Sequence, residues 1–322
     1  MTGIRTALVT GAAGFIGSAL VRRLLAENIQ VTSLVRDSTR AKTAIGNPQP
    51  AFIEVPQWSH ENLTQALAGV SAEAVFHLAS YGVQAHERDP EQLIQGNVHI
   101  LTDVLKAVSH GRTTRFIFAG TCAEYGFPEH DQVPISETQP LRPTSPYGAA
   151  KAAAENDGAE LAAPLNVPFI TLRLFNVFGP GEAPARLLPF VIDHLQRHEP
   201  AELTGGEQVR DFIYLDDAVS ALITAASAKS LNAGEAYNVC SGRGTSVRNM
   251  GEMAADVMGK PRSLLLWGKR PYRNDEPMWL VGDNRRFTQA TLWQPQISLE
   301  EGIRRTISAA EHAFNKERQH AL

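Results

Sequence analysis

The sequence predicts an α/β fold, a doubly wound parallel sheet with a smaller C-terminal lobe, and two features of the chain carry that expectation. In the first half, short runs rich in Val, Ile, Phe and Leu alternate with segments whose apolar residues recur at helical spacing. Strands buried on both faces read this way when crossover helices connect them. In the second half, from the Gly/Pro-rich stretch "NVFGPGEAPARLLPF" onward, that alternation is lost.

Taken in order, strands are expected over Thr6–Thr10, Val31–Val35, Phe52–Val55, Ala74–Leu78, Arg115–Ala119 and Phe169–Arg173. Each is too short for a helix. Between the first two, Leu20, Val21, Leu24 and Leu25 form an apolar stripe at helical spacing. Pro90 opens a second helix with the stripe Leu93, Ile94, Val98, Leu101, Val104, Leu105 and Val108. A third begins near Tyr147 and stops before Pro164, which cannot continue it. Residues 1–175 read as the sheet domain, to which the chain returns around 211–242; residues 176–210 and 243–322 read as the lobe. Pockets in such sheets lie beyond the C-terminal strand ends, so the lobe is expected to cover that edge. Trp267, Trp279 and Trp293 are expected to pack its core.

Bulk properties narrow the function classes. At 322 residues and 43% hydrophobic the chain can bury a full core. A net charge of -4, with no clustered run of Lys and Arg, gives no general attraction for nucleic acid or an anionic membrane. No stretch approaches the roughly 18 uncharged apolar residues of a membrane span, and "MTGIRTALVTG" has no signal-peptide pattern. Cys122 and Cys240, far apart in sequence, can neither staple a fold of this size nor make a zinc knuckle. The ten histidines are scattered along the chain, and no metal is expected. The chain reads as a soluble, reduced, cytoplasmic protein.

"VTGAAGFIGSAL" lies between the first strand and the first helix. Thr10 ends the strand, and Phe15 and Ile16 open the helix. Gly11 permits the tight turn, Gly14 lets the backbone approach a pyrophosphate, and Gly17 lets helix and strand pack closely. A plain strand–helix turn is the alternative; the placement favours a dinucleotide. An NAD site usually carries a carboxylate at the end of the second strand, but here "VTSLVRDST" places Arg36 after Val35. A guanidinium favours a 2′-phosphate, so NADP(H) is expected ahead of NAD(H), with Asp37 serving NAD if the strand runs two residues further.

The ordered motifs "TGAAGFIG", "FHLAS", "GTCAEYG", "SPYGAAK", "RLFNVFGPGE" and "VRDFIYLDD" resemble the extended short-chain dehydrogenase/reductases that act on nucleotide sugars. The likeness spans nearly the whole chain and implies a Rossmann sheet with a substrate-binding lobe. It assigns Tyr147 as general acid/base, Lys151 as its tuner and ribose contact, and Thr121 as the hydroxyl that bonds the reacting oxygen. Elementary chemistry agrees: free tyrosine titrates at about 10, and an ammonium one turn away lowers that value by stabilising phenolate. The resemblance also implies Leu78 and Ala79 along the cofactor and Asn97 organising the site, where a buried hydrogen-bonding role is equally open. Asn176 is implied at the substrate phosphates, Leu187 in a loop against the nucleotide base, and Arg210 and Arg273 on the diphosphate. Guanidinium bonds phosphate bidentately, which suits that last role. Pairing of the helices after Pro90 and Tyr147 across a homodimer, as a four-helix bundle, follows from the same resemblance.

Departures from the family narrow the reaction. Its 4,6-dehydratases follow the threonine with Asp and Glu, where this chain has Cys122 and Ala123. Glucuronate decarboxylases need the same glutamate. Glu124, one position on, is expected on the opposite face of a strand, and Cys122 reads as a small buried thiol. Two reactions need only Thr121, Tyr147 and Lys151. One is NADPH-dependent reduction of a 4-keto-6-deoxy sugar nucleotide; the other is NAD-dependent C4 epimerisation. Arg36 favours the first, as do "GEAYNVCSGRGTSVRNM" and "RPYRNDEPMWLVGDNRRF", which look more like the family's 4-keto-6-deoxy-sugar reductases. Pro56 stands about where many members place an Asp near adenine, so adenine must be held differently. A scaffold that kept the fold and lost turnover is a third reading, disfavoured by the intact Thr121, Tyr147 and Lys151.

Overall fold

Apolar runs that can be covered on both faces pair side by side, and the chain does this with every run expected above. The computed structural model describes residues 3–83, 87–109, 111, 113–128, 132–273 and 275–320. Strands β1 (Thr6–Thr10), β2 (Gln30–Val35), β3 (Ala51–Glu54), β4 (Ala74–His77), β5 (Arg115–Thr121) and β6 (Phe169–Leu174) fall within two residues of the expected ends. Helices α1 (Phe15–Ala26), α2 (Ser38–Ile45), α3 (His60–Leu67), α4 (Pro90–Ile94), α5 (Ile100–Val108) and α6 (Pro146–Ala162) connect them.

Beyond β6 come β7 (Asn176–Phe178), α7 (Leu187–Arg197), β8 (Ala201–Glu202), β9 (Val209–Tyr214), α8 (Leu215–Ser227) and β10 (Ala236–Val239). The remainder is β11 (Gly244–Ser246), α9 (Val247–Val257), β12 (Leu265–Leu266), β13 (Trp279–Leu280), α10 (Arg285–Thr291) and α11 (Leu299–His320). Seven strands form one sheet in the order β10-β6-β5-β4-β1-β2-β3, every neighbouring pair parallel. The order reverses between β1 and β4, and a crevice opens there beyond their C-terminal ends. A second sheet, β11-β9-β13 with β7 also on β9, forms beside it.

Local chemistry sets the helix starts. Asp37 caps α2 by accepting the Arg40 N–H at 3.0 Å, and Ser59 caps α3 through the Asn62 N–H. Ser145 caps α6 by accepting the Gly148 N–H at 3.1 Å, with Pro146 at the first helical position, where a missing N–H costs nothing.

The helix expected from Pro90 is not continuous. A π-helical turn, Gln95–His99, separates α4 from α5. The Asn97 side chain donates to the Leu93 carbonyl at 2.9 Å, the acceptor its own backbone N–H would use in a regular helix. The wider turn rotates the stripe: Leu93, Val98, Leu101, Val104, Leu105 and Val108 are buried, while Ile94 is 43% exposed.

One core face is aromatic. Phe169 stacks on Phe116 and Phe118 at ring-centroid separations of 5.5 and 5.8 Å. The lobe has its own core, built from Leu188, Val191, Leu195, Met250, Ala254 and Ile303. Trp293 does not pack there. It is buried against the sheet domain with Phe287 and Tyr237, its indole N–H donating to Ser220 Oγ at 2.8 Å, because α8 and α10 pack against that domain. No helix among the described residues is long and apolar enough to cross a membrane.

Phe169→Ala should lower stability by about 3–5 kcal/mol, since truncating a fully packed ring leaves a cavity that stacked neighbours cannot fill. Urea unfolding followed by circular dichroism reads this as an earlier midpoint; an unchanged midpoint would mean the aromatic stack contributes little.

Candidate active site

At the crevice, the turn after β1 is made of backbone packed on backbone. Gly11 has φ +70°, and a Cβ there would lie 2.6 Å from the Leu78 carbonyl carbon and 2.7 Å from the Ala79 nitrogen. A Cβ on Gly17 would fall 2.1 Å from the Gly11 oxygen, so helix α1 can sit this close to the turn only without a side chain. Thr10 is fully buried; its Oγ1 accepts the Ala79 N–H at 3.1 Å and meets His77 Nδ1 at 3.2 Å. That pair locks the end of β1 to the end of β4.

Gly14 occupies the N-cap of α1 without a capping side chain, and the first turn, with Phe15 and Ile16, carries no acidic residue. Its N–H groups and the positive end of the helix dipole suit a pyrophosphate. The glycine-lined cradle therefore fits a dinucleotide.

Arg36 follows β2 directly and is exposed, whereas Asp37 is committed through Oδ1 to capping α2. The register thus leaves Arg36, not Asp37, at the strand end. A carboxylate does reach this corner from a residue the sequence reading passed over. Glu54, the last residue of β3, accepts the Ser38 N–H at 3.2 Å.

The elements that carry the candidate catalytic residues meet through one tight contact. Thr121 ends β5, and its Oγ1 accepts the Ala123 N–H at 3.2 Å, which starts a short 3₁₀ turn over Cys122–Glu124. A Cβ on Gly148 would lie 2.4 Å from the Ala123 carbonyl oxygen, so the first turn of α6 rests directly on that 3₁₀ turn. Tyr147 is thereby held beside the end of β5, its ring edge against Gly82.

Burial pushes the Tyr147 phenol up to about 12, opposed first by a hydrogen bond with the Ser80 hydroxyl. Ser80 Oγ in turn donates to Asn97 Oδ1 at 2.9 Å. Asn97 Nδ2 donates to the Tyr81 carbonyl at 2.8 Å as well as to Leu93, so this buried residue anchors the loop behind Tyr147. Ser80 closes the "FHLAS" motif, which gave it no role.

Lys151 corrects the expected tuning. It is 2% exposed, its ammonium stands 3.9 Å from the centroid of the Phe118 ring, and burial lowers it to about 8 against the pull of Glu124 and Glu155. In this arrangement burial outweighs any lowering of Tyr147 by the lysine. Glu124 is corrected too. The chain turns at Cys122 instead of continuing as a strand, and the carboxyl folds back to accept the Thr121 N–H at 2.7 Å. Burial drives the Cys122 thiol up to about 12, so it stays protonated.

On the lobe side, Arg210 and Arg273 come together on one carboxylate. Arg210 Nη2 donates to Glu276 Oε1, and Arg273 Nε donates to Oε2 of the same residue at 3.0 Å. Arg210 is 8% exposed, and its charge acts on Cys122, which ties the cation pair to the Thr121 side of the site. Asn176 Nδ2 donates to the Asp211 carbonyl at 3.1 Å. Leu187 is not in a loop but opens α7, packed on the lobe core.

Two buried polar groups that the motifs did not assign hold this side rigid. Asp211 accepts from Ser241 N–H, Ser241 Oγ and Gly242 N–H at 2.7, 2.7 and 2.9 Å. Asn238 accepts from Tyr125 Oη at 2.7 Å and donates to the Ile135 carbonyl. Asp211 falls inside the motif "VRDFIYLDD", which gave it no role, and Asn238 shows in the sequence as a polar residue inside an apolar strand run. Gly17→Val should weaken dinucleotide binding at least about tenfold, because the side chain must displace the phosphate-binding turn. Calorimetric titration with NAD checks this; wild-type affinity in the folded variant would exclude the cradle as the binding site.

Comparison with known proteins agrees with this geometry. The pattern of the NAD dependent epimerase/dehydratase family matches residues 7–240. A UDP-glucose 4-epimerase of Mycolicibacterium smegmatis is 30% identical over 310 residues, covering 93% of this chain and 96% of its own. The UDP-glucose 4-epimerase of Thermotoga maritima, solved with UDP-glucose, aligns with a TM-score of 0.86 at 27% identity, covering 96% of this chain and 99% of its own. MoeE5, solved with UDP-glucuronic acid and NAD, aligns at 0.82 with 28% identity over 96% of this chain and 99% of its own. The relatives' names thus carry the epimerase alternative rather than the reductase placed first, and MoeE5 was solved with NAD, not the NADP placed first. The chain belongs to the NAD dependent epimerase/dehydratase family, the extended short-chain dehydrogenase/reductases that its motifs resemble.

Proposed function

We propose that the protein is an NAD-dependent epimerase that inverts C4 of a UDP-linked sugar through a transient 4-keto form. The observation that carries the reading is the packing of Gly148 on the Ala123 carbonyl. It gathers Thr121, Tyr147 and Lys151 at one strand end, with Cys122 and Ala123 where a dehydratase needs an acid and a base. The similarity to UDP-glucose 4-epimerases, and to a structure holding NAD, supports the same choice.

Thr10, Gly11, Gly14, Phe15, Ile16 and Gly17 would hold the dinucleotide, with Leu78, Ala79 and Lys151 beside it. Bound there, the nicotinamide supplies the acceptor and then the donor of the hydrogen on C4. Tyr147 takes the proton of the C4 hydroxyl as the sugar is oxidised and returns it as the sugar is reduced, while Thr121 Oγ1 orients the reacting oxygen. The charge on Lys151 favours the phenolate. A buried phenol suits a cycle in which the same proton is taken and given back. Inversion requires the keto sugar to present its other face, so the diphosphate must stay anchored while the sugar turns. Arg210, Arg273 and Asn176 would anchor it, with Leu187 towards the nucleotide base; the meeting of both arginines on Glu276 supports this.

A second reading, NADPH-dependent reduction of a 4-keto-6-deoxy sugar nucleotide, is favoured by Arg36 at the end of β2. Cofactor content separates the two. The epimerase should release NAD on denaturation and interconvert UDP-glucose and UDP-galactose, or the corresponding uronates, without added cofactor. Empty protein that oxidises NADPH only with a keto sugar nucleotide would overturn that reading.

Tyr147→Phe should keep its dinucleotide and lose about 10²–10⁴-fold in turnover; full activity in that variant would remove Tyr147 from the proton-transfer role. Helices α5 and α6 are the proposed dimer interface, and light scattering should give twice the 35.1 kDa chain mass.

A further inference from the structure

Behind the reacting face lies a carboxyl that the proposed chemistry does not use. Glu124 is 0% exposed. Its Oε1 accepts the Thr121 N–H at 2.7 Å; its Oε2 has no hydrogen-bond partner among the described residues and stands 3.6 Å from Arg173 Nε. Helix α6 presents Lys151, Glu155 and Tyr147 to this carboxyl, and β6 presents Arg173. Cys122 lies on its own turn, and His77 of β4 lies beyond Lys151.

Glu155 takes Arg173 through two nitrogens, at 3.0 and 2.5 Å, and Arg173 Nη1 donates to Tyr125 Oη at 2.8 Å. With Lys151 protonated, Lys151 and Arg173 are two cations against the single carboxylate of Glu155, and ionised Glu124 then makes the buried cluster neutral. Burial and the Glu155 carboxylate hold Glu124 well above the usual carboxylate range, and Lys151 and Arg173 pull it back.

We propose that Glu124 is a positioning residue of the catalytic unit: one oxygen fixes Thr121 at the end of β5, and its negative charge acts on Lys151 and Tyr147 together. Residues 121, 124, 147 and 151 then work as one device, in which the two groups that exchange or stabilise the proton respond to the same buried charge. A carboxylate in this place raises the proton affinity of both the ammonium and the phenol. Only the kinetic half of the test rests on the epimerase reading.

Glu124→Gln keeps an acceptor for the Thr121 N–H and removes the charge. Both limbs of the pH profile of kcat should therefore move to lower pH, by about one unit, with the bell translated rather than flattened. Glu124→Ala also loses the bond to Thr121 and should lower kcat about tenfold or more at every pH, with KM little changed.

A second readout needs no substrate. Phenolate absorbance of each protein, minus that of the same protein carrying Tyr147→Phe, titrates Tyr147 directly and should shift down by about one unit in Glu124→Gln. This measurement stands even if the protein epimerises nothing. An even loss of activity across pH, with both limbs and the Tyr147 titration unmoved, would make Glu124 a structural residue and overturn the proposal. Should Glu124→Gln fail to fold, Glu124→Asp retains the charge on a shorter arm. It should lower kcat and leave the Tyr147 titration in place; a downward shift there of about one unit would overturn the proposal equally.

Discussion

Helix α6 lies against the end of β5 because position 148 carries no side chain. The distance a Cβ would have from the Ala123 carbonyl oxygen, 2.4 Å, leaves room for hydrogen alone. Everything on the reacting face depends on that approach. Tyr147 precedes Gly148 and Lys151 follows it by three residues, so the contact that seats the helix also sets both side chains relative to Thr121. Ser145 and Pro146 fix where the helix begins, one turn before it must touch the strand end. Capping chemistry, close packing and the geometry of the candidate site are here the same few atoms.

Around this contact the protein spends buried polar groups on rigidity. The loop carrying Ser80 and Tyr81 hangs on the Asn97 amide, which a π-helical turn presents. The lobe hangs on Asp211, whose carboxylate gathers N–H and O–H donors from Ser241 and Gly242. Arg173, between Glu155 and Tyr125, joins β6 to α6 and to Asn238 on β10. Such groups are costly to bury unless they are paired, and once paired they admit few alternative arrangements. That suits the proposed epimerase, in which a diphosphate would stay still while the sugar turns.

Strand positions were legible because a parallel strand covered on both faces is apolar along its whole length, and Val, Ile, Phe and Leu mark it without ambiguity. The phosphate loop was legible because glycine at 11 and 17 is demanded by backbone contact, which no other residue satisfies. The break after Pro90 was not, since the π turn depends on where the Asn97 amide points. The place of Trp293 escaped for a similar reason: α8 and α10 pack against the sheet domain, which local patterning in the second half does not announce. Glu124 was placed on the wrong face because alternation along a strand assumes that the strand goes on, and the Thr121 hydroxyl ends it by capping a turn.

By itself, then, the sequence determined the parallel sheet, the dinucleotide cradle and the family, all of which rest on local patterns read a few residues at a time. It also argued against the dehydratase and decarboxylase reactions, through Cys122 and Ala123. Only the tertiary structure decided the electrostatics: that burial, not the neighbouring lysine, dominates Tyr147, and that Lys151 rests on an aromatic ring with Glu124 behind it. The proton affinity of a side chain depends on which charges and how much protein surround it in space. Those neighbours come from α6, β5, β6 and β4, segments that no window along the chain brings together.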